Sequence, residues 1–373
     1  MMKPIIFLML TLSLLASANV QDVVAQSKDT LQLTLPPVIY AVPDVEISLY
    51  FDNLVLTQAP QSLNFSVDCG LGQTESRRWM VTPTASDVGA HPVTVRVEGA
   101  DGALLATATT KLQVSPADAG YGKSVRLLIV GDSLTSASQY ANELSRLLQL
   151  PGNPKLTMLG THRPASAAEG VAHEGYGGWT WSRFVNHYEP APDPTQRKFS
   201  SPFVFLDSNE QPHLDVARYI NEHCDGLAPD YVVFFLGIND CFGASPDDRQ
   251  AMDATIDSTF KHAETLLADF RKAAPQAHFG ICVTPAANAR QEAFQANYQD
   301  KYTRWGWKRI QHRLVQRQLD HFAENTQRNL SLIPTQLNIN PVDGYPLDNA
   351  VHPNRHGYQQ IGTSIYAWLK SRL

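Results

Sequence analysis

Four short stretches put reactive side chains where the chain turns sharply. In LLIVGDSLTSA (127–137) an apolar run stops at Gly131-Asp132-Ser133, and helix-forming residues follow at once. A strand that ends this way leaves the Ser133 hydroxyl at the carboxyl edge of a sheet, beside a helix N-terminus whose N–H groups favour negative charge. The same residues also make an ordinary helix cap, since Asp and Ser accept from the first unpaired N–H groups. In FFLGINDCF (234–242) a second apolar run ends at Gly237-Ile238-Asn239-Asp240. HEGYGGWTW (173–181) is a glycine-dense turn able to bring backbone N–H groups close to a ligand. LDNAVHPNRHGY (347–358) places His352 just before a terminal helical pattern. A hydroxyl, an imidazole and several N–H donors at turns shift the balance from capping toward nucleophilic chemistry.

The elements that must position these residues follow from hydrophobic rhythm. After residue 124, SVRLLIVGDS, KLTMLGT, YVVFFLG, AHFGICVTP and NLSLIPTQL are near-continuous apolar runs, as strands buried on both faces require. Helical patterns separate them, and a last helix spans about 355–373. Alternating strand and helix predicts a doubly wound α/β domain over 124–373, with ligands beyond the carboxyl ends of a parallel sheet. Residues 28–118 read differently. Six or seven short Val-, Thr- and aromatic-rich runs, with a hairpin turn at 99–102, predict a small all-β sandwich domain. The stretch 115–124 is the expected linker, and the Pro-rich, polar segment 189–213 is an expected insertion at the rim of the site.

At 373 residues the chain is long enough for two domains and needs no disulfide or metal staple. Thirty basic and 36 acidic residues leave a net charge of −6, so no strong positive field invites nucleic acid. Residues 1–25 have the layout of a secretory signal peptide: Lys3, an apolar run too short to span a bilayer, then the small-residue triplet Ala16-Ser17-Ala18. The expectation is a secreted or periplasmic protein with no transmembrane segment after cleavage. Cys69 and Cys282 are expected to be free thiols, and the spacing leaves open whether Cys224 and Cys241 pair. No Cys/His cluster has zinc-site spacing, and neither a metal nor a cofactor is expected.

The four stretches, in this order, resemble the sequence blocks of the GDSL/SGNH hydrolase superfamily. GDSL matches Gly131–Leu134, the second-block glycine matches Gly178, G-x-N-D matches Gly237–Asp240 and V-H-P-N matches Val351–Asn354. The resemblance covers about 124–373 and implies a three-layer SGNH-like fold and a serine esterase. It makes Ser133 the nucleophile and His352 the base, with the Ser133 N–H, the Gly178 N–H and the Asn239 amide as an oxyanion hole. The family usually carries Asp three residues before the histidine; here that position is Asn349, and the nearest acid is Asp348. Asp348 is the expected third member, with Asn349 or a backbone carbonyl as alternatives. Asp132 and Asp240 are expected to brace loops.

Exported members with β-domains resemble carbohydrate esterases, which implies removal of acyl groups, with acetyl the expected one, from a carbohydrate. A lipid esterase or lysophospholipase is the alternative, and a non-catalytic glycan-binding surface module is a second. His173, Tyr176 and Trp179, with Trp181, are candidates for a sugar-binding cleft, against the reading that at least one of the two Trp is core. The basic side of 302–322, with Arg304, Lys308, Arg309, Arg313 and Arg317, is expected to be a solvated face.

Overall fold

The computed structural model describes residues 31–196, 198–323 and 329–373. The leader expected over residues 1–25 lies outside them. Seven strands come first: β1 (Val38–Ala41), β2 (Ile47–Tyr50), β3 (Asn64–Asp68), β4 (Gln73–Thr74), β5 (Arg78–Val81), β6 (Gly89–Glu98) and β7 (Leu104–Val114). They form two sheets, ordered β1-β7-β6-β3 and β2-β5-β4. Alternation sets their faces: Val93, Val95 and Val97 are buried, while Pro92 and Arg96 face outward. Residues 99–102 make the expected turn, with the Gly99 N–H donating to the Ala103 carbonyl at 2.9 Å. Pairing is antiparallel except that β1 runs parallel to β7. The Phe51 and Phe65 rings stack at 4.6 Å beside these sheets.

The second part holds β8 (Ser124–Gly131), β9 (Lys155–Leu159), β10 (Glu174–Gly175), β11 (Val204–Leu206), β12 (Pro212–Leu214), β13 (Tyr231–Phe235), β14 (His278–Cys282) and β15 (Leu330–Ile333). Its helices are α1 (Ser133–Ser136), α2 (Gln139–Leu148), α3 (Trp181–Asn186), α4 (Val216–His223), α5 (Ile238–Cys241), α6 (Arg249–Ala273), α7 (Gln291–Tyr298), α8 (Arg304–Phe322), α9 (Thr335–Asn338) and α10 (Arg355–Lys370). The main sheet is all parallel, in the order β15-β14-β13-β8, with β9 and then β10 along the outer edge of β8. The antiparallel pair β11-β12 lies inside the segment 189–213. Every residue of β13 is buried, as a strand covered on both faces must be. Successive side chains serve opposite layers: Phe234 meets Trp181 and Phe270 of α3 and α6, whereas Phe235 meets Tyr140 of α2. This is a three-layer α/β arrangement with a parallel sheet.

Buried hydrogen bonds join the β-rich region to the α/β region, and residues 31–373 form one compact unit. The Asn53 Nδ2 donates to the carbonyls of Gln336 and Ile339 at 2.7 and 2.8 Å. The Ser48 N–H donates to Asn338 Oδ1 at 2.8 Å, and Asn338 Nδ2 donates on to the Gln360 carbonyl at 2.9 Å. Stretch 115–124 is pinned by the last helix, since Lys370 Nζ donates to the Ala119 carbonyl at 2.5 Å. Among the described residues no helix is long and apolar enough to cross a membrane.

Candidate active site

Ser133 is the first residue of α1, and Asp132 caps that helix by accepting from the Leu134 N–H at 2.9 Å. The turn sits hard against the sheet because residue 131 is glycine. A Cβ there would meet Thr135 Oγ1 at 1.9 Å and the Phe235 carbonyl at 3.0 Å. The capping role and the exposed hydroxyl therefore coexist: Asp132 does the capping and Ser133 is left free to face the cleft. The Ser133 N–H, at the first helical position, has no acceptor among the described residues, as is ordinary for a helix N-terminus.

His352 comes from the loop before α10. Its Nε2 lies 2.9 Å from Ser133 Oγ, although 219 residues separate the two in sequence. Its Nδ1 lies 3.2 Å from Asn349 Oδ1, which also accepts from the His352 and Val351 N–H groups at 2.9 and 3.2 Å. An amide oxygen can only accept, so Nδ1 carries the proton and Nε2 presents its lone pair to the Ser133 hydroxyl. Burial lowers the ring's pKa below 6.5, which keeps it neutral near pH 7. The loop is held from outside by Asn288, whose Nδ2 donates to the carbonyls of Pro346 and Asn349 at 2.7 and 3.0 Å. It is held again by Asn297 Oδ1, which accepts from the Ala350 N–H at 2.6 Å.

The remaining donors converge on the same edge. Asn239 Nδ2 donates to the Trp179 carbonyl at 3.0 Å and lies 3.4 Å from Asp132 Oδ2, so one amide joins three of the four sequence blocks. Gly178 takes φ +78°, a left-handed conformation that glycine adopts without strain, and its N–H has no acceptor among the described residues. Beside them lie the carboxyls of Asp132, which is buried, and Asp240, which is partly buried. Asp132 and Asp240 are both pushed up to about 7, chiefly by burial. Asp240 Oδ1 accepts from the Trp181 N–H at 3.0 Å, while its Oδ2 has no partner among the described residues. Both side chains thus tie loops together, as expected of them. Among the described residues no group of three or more His, Cys, Asp or Glu side chains could hold a metal ion.

A hydroxyl, an imidazole and open N–H donors at one sheet edge fit ester hydrolysis, and the chain matches the model of the GDSL-like lipase/acylhydrolase family over residues 127–365. That is nearly two thirds of its length. The chain belongs to the GDSL-like lipase/acylhydrolase family. It is a carboxylic ester hydrolase. Comparison by sequence with curated proteins finds no match. Among solved structures it is similar to a family 3 carbohydrate esterase from Clostridium thermocellum, at 18% identity and a TM-score of 0.40 over 65% of this chain and 94% of that one. A family 3 carbohydrate esterase from Talaromyces cellulolyticus gives 17% and 0.40 over 67% of this chain and 99% of the other. A carbohydrate acetylesterase from Sinorhizobium meliloti gives 12% and 0.38 over 67% and 100%.

Several expected roles do not survive the geometry of this GDSL-family site. Asp348 is exposed and makes no hydrogen bond or ion pair with His352; the oxygen at the ring is that of Asn349. The reason is local: a three-residue offset lets one side-chain oxygen close the turn onto the backbone N–H groups and the ring together, and position 348 falls outside that turn. His173, Tyr176 and Trp179 do not line a cleft. They are 0%, 8% and 2% exposed, and Trp181 is buried with them. His173 Nε2 lies 2.9 Å from Ser138 Oγ, and Tyr176 OH donates to Glu174 Oε2 at 2.5 Å. Trp179 packs among Tyr176, Phe184 and Phe199.

Glu174 was not singled out in the sequence. Fully buried, it accepts from Tyr176, Tyr219 and Thr161, and so fixes the strand that leads to Gly178. Its HEGYGG setting was the only signal. The basic side of α8 is only partly solvated, because most of its charges are paired. Arg313 pairs with Asp253 of α6 at 2.6 Å, Arg317 with Asp253 and Asp257, and Arg309 with Asp247. Lys308 Nζ donates to the Asp52 carbonyl at 2.5 Å. All four cysteines are free, Cys224 and Cys241 included.

Proposed function

We propose that this ester hydrolase is an exported serine esterase that removes acetyl groups from a carbohydrate through an acyl-enzyme on Ser133. The observation that carries the mechanism is the 2.9 Å approach of His352 Nε2 to Ser133 Oγ. His352 takes the Ser133 proton as the oxygen attacks the ester carbonyl. The resulting oxyanion accepts from the Ser133 N–H and the Gly178 N–H, and from Asn239 Nδ2 in place of its 3.4 Å contact with Asp132. As the C–O bond breaks, the proton on Nε2 passes to the departing alkoxide, leaving acyl-Ser133 and free alcohol. His352 then deprotonates a water, which attacks the acyl carbon. Collapse returns the proton to Ser133 and releases the carboxylic acid. Asn349 Oδ1 holds the ring in the required tautomer throughout.

The carbohydrate half of this reading rests on the resemblance of exported, β-domain-bearing members of the superfamily to carbohydrate esterases. The export assignment rests on the N-terminal leader pattern. Ser133→Ala should abolish p-nitrophenyl acetate hydrolysis, with kcat down by about 10⁶. Acetate release from acetylated polysaccharides then tests the substrate. Activity confined to long-chain esters would replace this reading with a lipid esterase. Equal rates for wild type and Ser133→Ala would remove the serine mechanism.

A further inference from the structure

With Tyr176 and Trp179 in the core, a second aromatic group, Phe242, Tyr298 and Tyr302, is carried by segments next to the catalytic loops. Phe242 caps α5, three residues after Asn239, so both lie on one side of that helical turn. Its ring stands 5.1 Å from Tyr298, the last residue of α7, and 4.5 Å from Tyr302. Tyr298 and Tyr302 meet edge to face at 5.3 Å. The group is rooted in the core by Trp307 and Phe294, both buried, which contact Phe242 and Tyr298 respectively. Phe242, Tyr298 and Tyr302 themselves are only half-buried, and neither tyrosine hydroxyl has a hydrogen-bond partner among the described residues. Four buried tyrosines, Tyr140, Tyr176, Tyr219 and Tyr345, bond through their hydroxyls, whereas buried Tyr358 does not among the described residues.

The position of this surface says which half of an ester it faces. Asn297, next to Tyr298, holds the Ala350 N–H, two residues before His352. Asn288, in the loop leading to α7, holds the carbonyl of Asn349. The segments that carry the rings thus adjoin both the Asn239 turn, through Phe242, and the His352 loop, through Asn297 and Asn288. In an acyl-enzyme reaction the alcohol oxygen must lie at His352 Nε2 to receive its proton, so a wall on the histidine side flanks the alcohol and not the acyl group. The Lys301 ammonium rests 5.1 Å over the Tyr302 ring. A ring face that holds a cation also suits the polarised C–H bonds of a sugar.

We propose that Phe242, Tyr298 and Tyr302 form the wall on which the ring of the substrate's alcohol half stacks, selecting esters of cyclic, pyranose-type alcohols. This rests on Ser133 and His352 acting as proposed above. The test compares kcat/KM for three acetates: ethyl acetate, cyclohexyl acetate and an acetylated xylopyranoside. The variants are Tyr302→Leu and Tyr298→Leu, singly and together, which keep apolar bulk but remove the ring face. The expected result is a fall of about three- to tenfold per ring for the two cyclic alcohols, through KM, with ethyl acetate unchanged. An equal fall on all three esters would overturn the wall, because the rings would then act only through the His352 loop. No change on the cyclic esters, with unfolding transitions matching the wild type, would overturn it too. If the wild type cleaves cyclohexyl acetate but no acetylated sugar, and Leu at these positions still lowers the cyclohexyl rate selectively, the wall stands and the carbohydrate reading falls.

Discussion

At position 349 a single oxygen does work that a carboxylate usually does in a serine–histidine pair. Asn349 Oδ1 orients the ring but brings no charge, so nothing beside the imidazole offsets the burial that lowers its pKa. Asn349→Asp should therefore move the acid limb of the kcat/KM profile upward, and a pH profile from 4 to 8 reads the shift. Asn349→Ala should cut kcat by about 10²-fold or more, since both the tautomer and the turn lose their acceptor. Asp240 makes a second prediction. Its folded pKa of about 7 lies above the ordinary 3.8, so the fold binds this proton more tightly than the unfolded chain does. Its contribution is whole below pH 3.8 and is lost as pH rises through 7. Asp240→Asn keeps an acceptor for the Trp181 N–H. It should gain on the order of 2 kcal/mol relative to wild type between pH 5 and pH 8, measured by urea unfolding. The serine and Asn239 were legible in sequence because sharp turns after buried strands leave few options for their side chains, and the histidine because V-H-P-N at 351–354 stands just before the terminal helix. The roles of 348 against 349 were not, because one residue decides whether a side chain closes a turn or points to solvent.

Among the elements, the apolar runs of β8, β13, β14 and β15 were legible because burial on both faces leaves little polar alternation to misread, whereas β9 lies at the sheet edge and is buried only at Met158 and Leu159. The aromatic residues of 173–181 were harder. Tyr and Trp serve equally in a cleft or a core, and only the packing of 199–203 and α3 over them decides it. The basic side of α8 misled for a related reason: its partners Asp247, Asp253 and Asp257 lie on or just before α6, about 60 residues away in sequence. The Arg313–Asp253 pair is two-pronged, at 2.6 and 2.8 Å, and less than a third exposed. Arg313→Gln should cost about 1 kcal/mol at low salt and less at 1 M NaCl. Arg218→Gln, which removes an exposed pair within α4, should cost close to nothing in the same urea titration.

For the whole molecule, the shift from alternating to continuous apolar runs near residue 124 marks where antiparallel β-structure gives way to alternating strands and helices. It said nothing of how firmly they hold one another, because the bonds involved join residues nearly 300 positions apart. Asn338 is 4% exposed and bonds to both sides, so Asn338→Ala leaves the buried Ser48 N–H without its acceptor. A loss of about 2–4 kcal/mol is expected, and calorimetry should show one lowered transition and no early, separate one. Were two resolved transitions to appear, the halves would be independent after all. The same stitching limits what recombination can do with this chain. The first third cannot be moved as a cassette onto another esterase: Asn53 would arrive with its two amide hydrogens facing a surface that offers no matching carbonyls, and the recipient's exposed helix ends would meet it unprepared.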